Sequence, residues 1–147
     1  MTLQDILRVK GTTVLSTSPA ATLLEVARIL CERRYGSLVV MDTPAGAKSP
    51  QLVGIITERD ILRACAQRDG RLDDAIVRDY MTTDLITGTP ANTVEYIMGV
   101  MTDNRIRHLP ILEDQELVGL ISIGDLVKAH HQQVAVENHY LKSYIHG

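Results

Sequence analysis

The chain holds no Phe and no Trp, and its only aromatic side chains apart from histidine are five Tyr. A core built from it must therefore be aliphatic. The stacked aromatic platforms that grip single-stranded nucleic acid are largely missing. Cysteine is equally scarce: Cys31 and Cys65 stand far apart, each in a helical pattern, and form no closely spaced metal or redox pair. Buried small hydrophobes are the ordinary role for such thiols. The formal net charge is only −3 over 147 residues, so no broad basic footprint favours nucleic acid. No apolar run approaches the roughly 18–20 residues that span a bilayer. Met1-Thr2-Leu3-Gln4-Asp5 lacks the basic-then-apolar order of a signal peptide, which leads to the expectation of a cytosolic protein with no membrane partner.

What the chain does hold is a repeat. Leu52-Val53-Gly54-Ile55-Ile56-Thr57-Glu58-Arg59-Asp60 returns 65 residues later as Leu117-Val118-Gly119-Leu120-Ile121-Ser122-Ile123-Gly124-Asp125. Each copy is an apolar strand containing Gly, then Ser or Thr, two variable residues and Asp. Upstream the offset is 71. Leu23, Val26, Ala27 and Leu30, at helical spacing, map onto Val94, Ile97, Met98 and Met101, and Leu38-Val39-Val40-Met41 maps onto Leu109-Pro110-Ile111-Leu112. The offset falls because the turn-rich stretch Thr43 to Pro50 makes the first hairpin connection six residues longer.

In chain order the pattern predicts a lead-in helix at Leu3 to Leu7, ending before Lys10-Gly11, and a short strand at Val14-Leu15-Ser16. A helix follows from Leu23 to about Arg34, its start marked by the capping box Thr22-Leu23-Leu24-Glu25. Strands at Leu38 to Met41 and Leu52 to Ile56 and a helix at Glu58 to Gln67 complete the first unit. Arg68 to Arg78 is a polar linker. Asp79-Tyr80-Met81 echoes Asp5-Ile6-Leu7, and Leu85-Ile86-Thr87 repeats the short strand. The domain ranges are thus residues 5–68, a linker at 69–78, residues 79–130, and a helical tail at 131–147. In the helix that runs on from Asp125 into that tail, Val127, Val134 and Leu141 fall seven apart, the spacing of a seam against another subunit; the alternative is a terminal helix that packs on its own domain.

Two such units in register closely resemble the tandem cystathionine β-synthase (CBS) domain pair, the Bateman module. Arg107-His108-Leu109-Pro110 and Val118-Gly119-Leu120-Ile121-Ser122-Ile123-Gly124-Asp125 are similar to forms in small stand-alone bacterial members. The likeness runs from about Asp5 to His130. It implies an α/β fold of two β-α-β-β-α repeats packed about a pseudo-twofold axis, with two clefts between them and association into a disc-shaped homodimer. Neither half is expected to be stable alone, since each exposes an aliphatic sheet face.

The resemblance gives Asp60 and Asp125 a ribose-binding role. A carboxylate accepts paired hydrogen bonds from vicinal hydroxyls, as the ribose 2′- and 3′-OH present them. Thr57 and Ser122 are also ordinary helix caps, and the two roles are compatible: a capped helix start offers backbone N–H groups to a phosphate. Adenine is implied beside Tyr35, Gly36 and Ser37 in the first unit and Ile106, Arg107 and His108 in the second, with Ile55 and Leu120 lining the other side. Arg107 and His108 are the cations best placed for phosphate, and Lys10 is a further candidate.

The implied ligand is AMP, ADP or ATP, with NAD(H) as an alternative and S-adenosylmethionine a third. The implied role is a nucleotide sensor that acts on a protein target in trans. The competing reading is a ligand-free dimeric scaffold. Catalysis finds little support: His130, His131, His139 and His146 cluster in the tail, and no nucleophile set, metal-ligand cluster, P-loop or dinucleotide glycine fingerprint occurs.

Overall fold

The computed structural model describes residues 1–146, so the last residue of the expected tail, Gly147, lies outside the described residues. The element order is α1 (Leu3–Lys10), β1 (Ser16–Thr17), α2 (Leu23–Arg33), β2 (Ser37–Asp42), β3 (Gln51–Thr57), α3 (Glu58–Gln67), α4 (Val77–Tyr80), α5 (Val94–Asn104), β4 (His108–Glu113), β5 (Glu116–Ser122) and α6 (Ile123–His146). The fold is mixed α/β, and the repeat is visible in its bounds. Helices α2 and α5 and strands β2 and β4 begin and end 71 residues apart, and β3 and β5 do so 65 apart.

The chain divides into two compact units. One comprises Thr13–Ile86 with Asp114–Val118; the other comprises Met1–Thr12, Thr87–Glu113 and Gly119–Gly147. The lead-in helix α1 thus belongs to the unit of the second repeat. The chemistry of this exchange is symmetrical: Thr2 bridges Thr93, the N-cap of α5, and Ile76 bridges Thr22, the N-cap of α2.

In the unit of the first repeat, β1 runs parallel to β2, and β2 pairs antiparallel with β3, Ser37 opposite Thr57 and Val39 opposite Ile55. Side chains alternate along a strand. Leu38, Val40 and Ile56 therefore point to one face, where Leu23, Val26, Leu30 and Ala64 complete a helix-covered core. Ser37, Val39, Ile55 and Thr57 share the opposite face. The capping box forms as expected: the Glu25 amide donates to Thr22 Oγ1 (3.1 Å) and the Thr22 amide to Glu25 Oε2 (3.2 Å). In the other unit Leu3, Leu7, Val94, Ile97, Met101, Leu109, Ile111, Ile121 and Leu126 are buried.

Four expectations are corrected. Helix α1 continues to Lys10, because the stop residue is Gly11 (φ 92°) and the first turn is held by Asp5 accepting from the Thr2 amide (2.9 Å). Strand β1 lies at Ser16–Thr17, where Val39 and Val40 offer parallel partners. Its counterpart shrinks to one bridge between Gly88 and Ile111, since glycine stands where β1 has Thr17 and weakens a strand. The stretch Arg68 to Arg78 is not merely a linker: Ala75 and Val77 are buried in the first repeat's core, and Leu72 packs on it. Its Leu72 and Ala75 carbonyls accept from the amides of Leu24 and Leu23.

Candidate ligand-binding site

Each repeat carries its Ser/Thr-x-x-Asp motif at the junction of its second hairpin strand and the following helix. In the first, Thr57 is the N-cap of α3 and Asp60 the third helical residue. The Thr57 amide and hydroxyl both donate to Asp60 Oδ2 (2.9 and 3.1 Å), and the Asp60 amide donates to Thr57 Oγ1 (3.3 Å). In the second, the Ser122 amide donates to Asp125 Oδ2 (2.9 Å), and the Asp125 amide donates to Ser122 Oγ (3.1 Å). Both are reciprocal caps that fix the carboxylate at the helix start.

The residue just before the first strand of each hairpin contributes a second tie. The Glu58 amide donates to the Gly36 carbonyl (3.0 Å), and the Ile123 amide donates to the Arg107 carbonyl (2.8 Å). In the first repeat, two of the leading helix amides, those of Glu58 and Asp60, thus serve the protein itself. The anion site expected from open helix amides is correspondingly narrower. The amides of Tyr35 and Ile106 are also engaged, on the carbonyls of Leu30 (3.2 Å) and Met101 (3.0 Å), closing the helices whose left-handed caps are Arg34 and Arg105.

The two carboxylates differ in setting. The side chain of Asp60 is 4% exposed, with Arg63 Nη1 3.7 Å from its Oδ1. That of Asp125 is 27% exposed, and Lys10 Nζ lies 2.6 Å from its Oδ2 while also donating to the Leu120 carbonyl (2.7 Å). Burial pushes the Asp125 carboxyl upward, but the bonds from Lys10 and Ser122 outweigh it and hold the group below the usual carboxylate range. The expected role of Lys10 is refined: in this structure its ammonium clamps the motif carboxylate. The Leu120 backbone carbonyl accepts from the same ammonium.

Among the first repeat's residues, Ser37, Ile55 and Thr57 share the sheet face opposite the helices, and Ser37 stands directly across from Thr57. Ser37 is 3% exposed, yet its hydroxyl has no hydrogen-bond partner. A buried hydroxyl without a partner is uncommon and calls for a functional account. Tyr35 is half exposed and lines an open groove of about 530 Å³ with Ala27, Leu30, Cys31, Arg34, Glu58 and Ile61. In the second repeat Arg107 is exposed, and Ile106 and His108 are half-buried. By strand alternation His108 occupies the Ser37 position, and Leu120 and Ser122 share a face as Ile55 and Thr57 do.

Sequence reasoning missed Arg63, though its i, i+3 spacing from Asp60 was visible, and missed that α1 supplies the second repeat. No local signal gives the latter, since both strands carry the equivalent glycine. Leu7 packs where a side chain on Gly119 would stand, and Met81 where one on Gly54 would stand, each pair holding the same repeat relation. Among the described residues no three His, Cys, Asp or Glu side chains gather as a metal site, and no helix is long and apolar enough to cross a membrane.

Comparison with known proteins gives a consistent pattern. The family model described as CBS domain matches residues 5–67 and 77–132. The mitochondrial CBS domain-containing protein CBSX3 of Arabidopsis thaliana is 35% identical over 99% of this chain and 72% of its own length. The crystal structure of the CBS-domain containing protein ATU1752 from Agrobacterium tumefaciens superposes with a TM-score of 0.81 at 33% identity, covering 88% of this chain and 92% of that one. The CBS domain pair of protein MJ0100, solved in complex with 5′-methylthioadenosine and S-adenosyl-L-methionine, gives a TM-score of 0.75 at 25% identity, covering 90% of this chain and 98% of that one.

Proposed function

Because this chain belongs to the CBS-domain family and carries two copies of the domain, we propose that it is a regulatory module that binds an adenosine-containing ligand at its two Ser/Thr-x-x-Asp helix starts. The observation that carries this reading is the Ser37 hydroxyl, buried without a partner directly across from Thr57. A polar group left unmet beside a fixed carboxylate suits a ligand with its own donors and acceptors. Asp60 and Asp125 receive the vicinal ribose hydroxyls. Gly36, Ser37 and Ile55 in one repeat, and Ile106, His108 and Leu120 in the other, meet the base. Tyr35 borders the first site from its groove.

The ligand class is an adenine nucleotide (AMP, ADP or ATP), with Arg107 meeting phosphate and Lys10 available to turn from Asp125 toward it once ribose takes the carboxylate. NAD(H) uses the same adenosine contacts. A second reading, S-adenosyl-L-methionine or 5′-methylthioadenosine, draws support from the MJ0100 complex. The module works without catalysis, as a cytosolic homodimer whose ligand occupancy is passed to a protein target. Such a switch requires the ligand to favour one of two states.

The test is a thermal-shift screen of ligand-stripped protein against AMP, ADP, ATP, NAD, NADH, S-adenosyl-L-methionine and 5′-methylthioadenosine. A ligand at about 100 times its Kd adds about 2.7 kcal/mol, enough to raise the midpoint by several degrees. Titration of the responding ligand should then weaken by about 1.5–3 kcal/mol in Asp125→Ala or Asp60→Ala. No shift from any of these compounds favours the ligand-free scaffold, and unchanged affinity in both variants refutes the ribose assignment.

A further inference from the structure

Helix α6 outruns the domain that starts it. Leu126 and Ala129 anchor its first turns and are buried, but from His130 to Ile145 no residue is buried. Along this free stretch Val134, Leu141 and Ile145 keep a pattern, with Val136, Tyr140 and Tyr144 lying off it. At about 100° per residue, Val127, Val134 and Leu141 fall on one stripe, and His131, Asn138 and Ile145 fall beside it. These are alternating d and a positions of a heptad, and Val127, Val134, Leu141 and Ile145 are 52%, 38%, 59% and 74% exposed.

We propose that this helix pairs in parallel with α6 of a second copy of the chain. Charge and register choose that occupant. Glu137 takes a g position and Lys142 the e position of the following heptad. In a parallel, in-register pair, each g residue reaches the next e residue of the partner, so two opposite-charge pairs form by symmetry. Asn138, at a central a position, can satisfy its amide on its own counterpart across the seam, a device that fixes register and favours two strands. The inference goes beyond ligand binding: it supplies a link between copies that is independent of the nucleotide site.

Cysteine cross-linking tests it. In full-length protein carrying Cys31→Ser and Cys65→Ala, a Leu141→Cys substitution places a thiol on the seam facing its own copy. Ser143→Cys, at the outward f position, serves as the control. Mild oxidation of dilute protein should convert Leu141→Cys to a reducible covalent dimer while Ser143→Cys stays monomeric. Adding Lys142→Glu should lower the dimer yield severalfold, and adding Glu137→Lys with it should restore the yield. A Leu141→Cys variant that stays monomeric, or equal cross-linking at 141 and 143, overturns the proposal, as an antiparallel pair or a dimer through another face would produce.

Discussion

Asp60 and Asp125 stand at the same place in two copies of one motif, yet the side chain of one is buried while that of the other is partly exposed and reached by a lysine. Their local caps are nearly superimposable in bonding: each carboxylate accepts from its own Thr or Ser amide, and each aspartate amide donates to that residue's hydroxyl. The difference arrives from outside the motif. Helix α1 spans Leu3–Lys10, whereas its equivalent α4 spans only Val77–Tyr80. The additional turn carries Lys10 onto Asp125 and the Leu120 carbonyl. In the first repeat the cation beside Asp60 is the more distant guanidinium of Arg63, from its own helix. The lesson is that the hairpin and cap are shared between copies, while the lead-in segment is where the two sites diverge.

The largest expected effect probes how each lead-in segment seats on its strand. A Cβ on Gly119 would stand 2.4 Å from Leu7 Cδ2, and its three nearest neighbours all belong to that flexible side chain. A Cβ on Gly54 would stand 2.8 Å from Met81 Sδ and 3.0 Å from the Thr82 carbonyl oxygen, which accepts from the Ile55 amide. Each Gly→Ala should cost about 1–3 kcal/mol in urea unfolding. In a Leu7→Ala background the Gly119→Ala cost should disappear. In a Met81→Ala background part of the Gly54→Ala cost should persist, because backbone cannot step aside. Equal coupling in both double-mutant cycles would remove the distinction.

The carboxylates come next. Asp60→Ala leaves the Thr57 amide without its acceptor beside a side chain that is only 4% exposed and should cost about 1–2 kcal/mol. Asp125→Ala leaves the Ser122 amide where water can reach it, and the unfolding loss should be distinctly smaller. Denaturation curves of the two variants decide this; a loss at Asp125→Ala as large as at Asp60→Ala would mean that the exposure difference has no energetic consequence.

How far the sequence carried this picture follows from what each signal depends on. The helix at Glu58–Gln67 and the strand–cap–helix register were legible because periodicity, glycine and cap chemistry are local and were written twice. The exchange of the lead-in helix was not, since an eight-residue amphipathic helix states which face it buries but not against which copy. The apolar spacing of Leu3 to Leu7 marks the buried face of α1 but not its end, which Gly11 sets one turn later. Lys10 was identifiable as a cation at the right entrance, but its partner lies 115 residues away and no spacing rule reaches that far. The isolated Ser37 hydroxyl is likewise a property of packing: a serine opening a buried strand gives no sign of whether its oxygen will find a donor.

A smaller effect tests where the copies should behave alike. Arg34 and Arg105 both close their helices in the left-handed region, at φ 57° and 55°. A residue with a Cβ is strained there and glycine is not. Arg34→Gly and Arg105→Gly should each stabilise by about 1 kcal/mol, and by similar amounts, in thermal or urea unfolding. A gain at one site only would show that the arginine side chain at the other is making up for its backbone.

The smallest effect concerns Lys10 itself. The Asp125 carboxyl is held below its ordinary range despite burial, with Lys10 the leading cause of the lowering. A carboxylate depressed in the folded state adds stability above its unfolded pKa of about 3.9, and that stability is lost as pH falls through the lower folded value. Lys10→Met removes this cause, so the variant should be less stable than the parent by about 0.5 kcal/mol near neutral pH, a modest figure because both side chains are partly solvated. The two unfolding curves should converge as the solution is acidified through the carboxylate range. Near neutral pH the gap should also narrow at high salt, since the pair is screened. A gap that persists unchanged in strong acid would assign the Lys10 contribution to its aliphatic stem or to the Leu120 carbonyl rather than to Asp125. In that case the clamp on the second site's carboxylate would be geometric, not electrostatic.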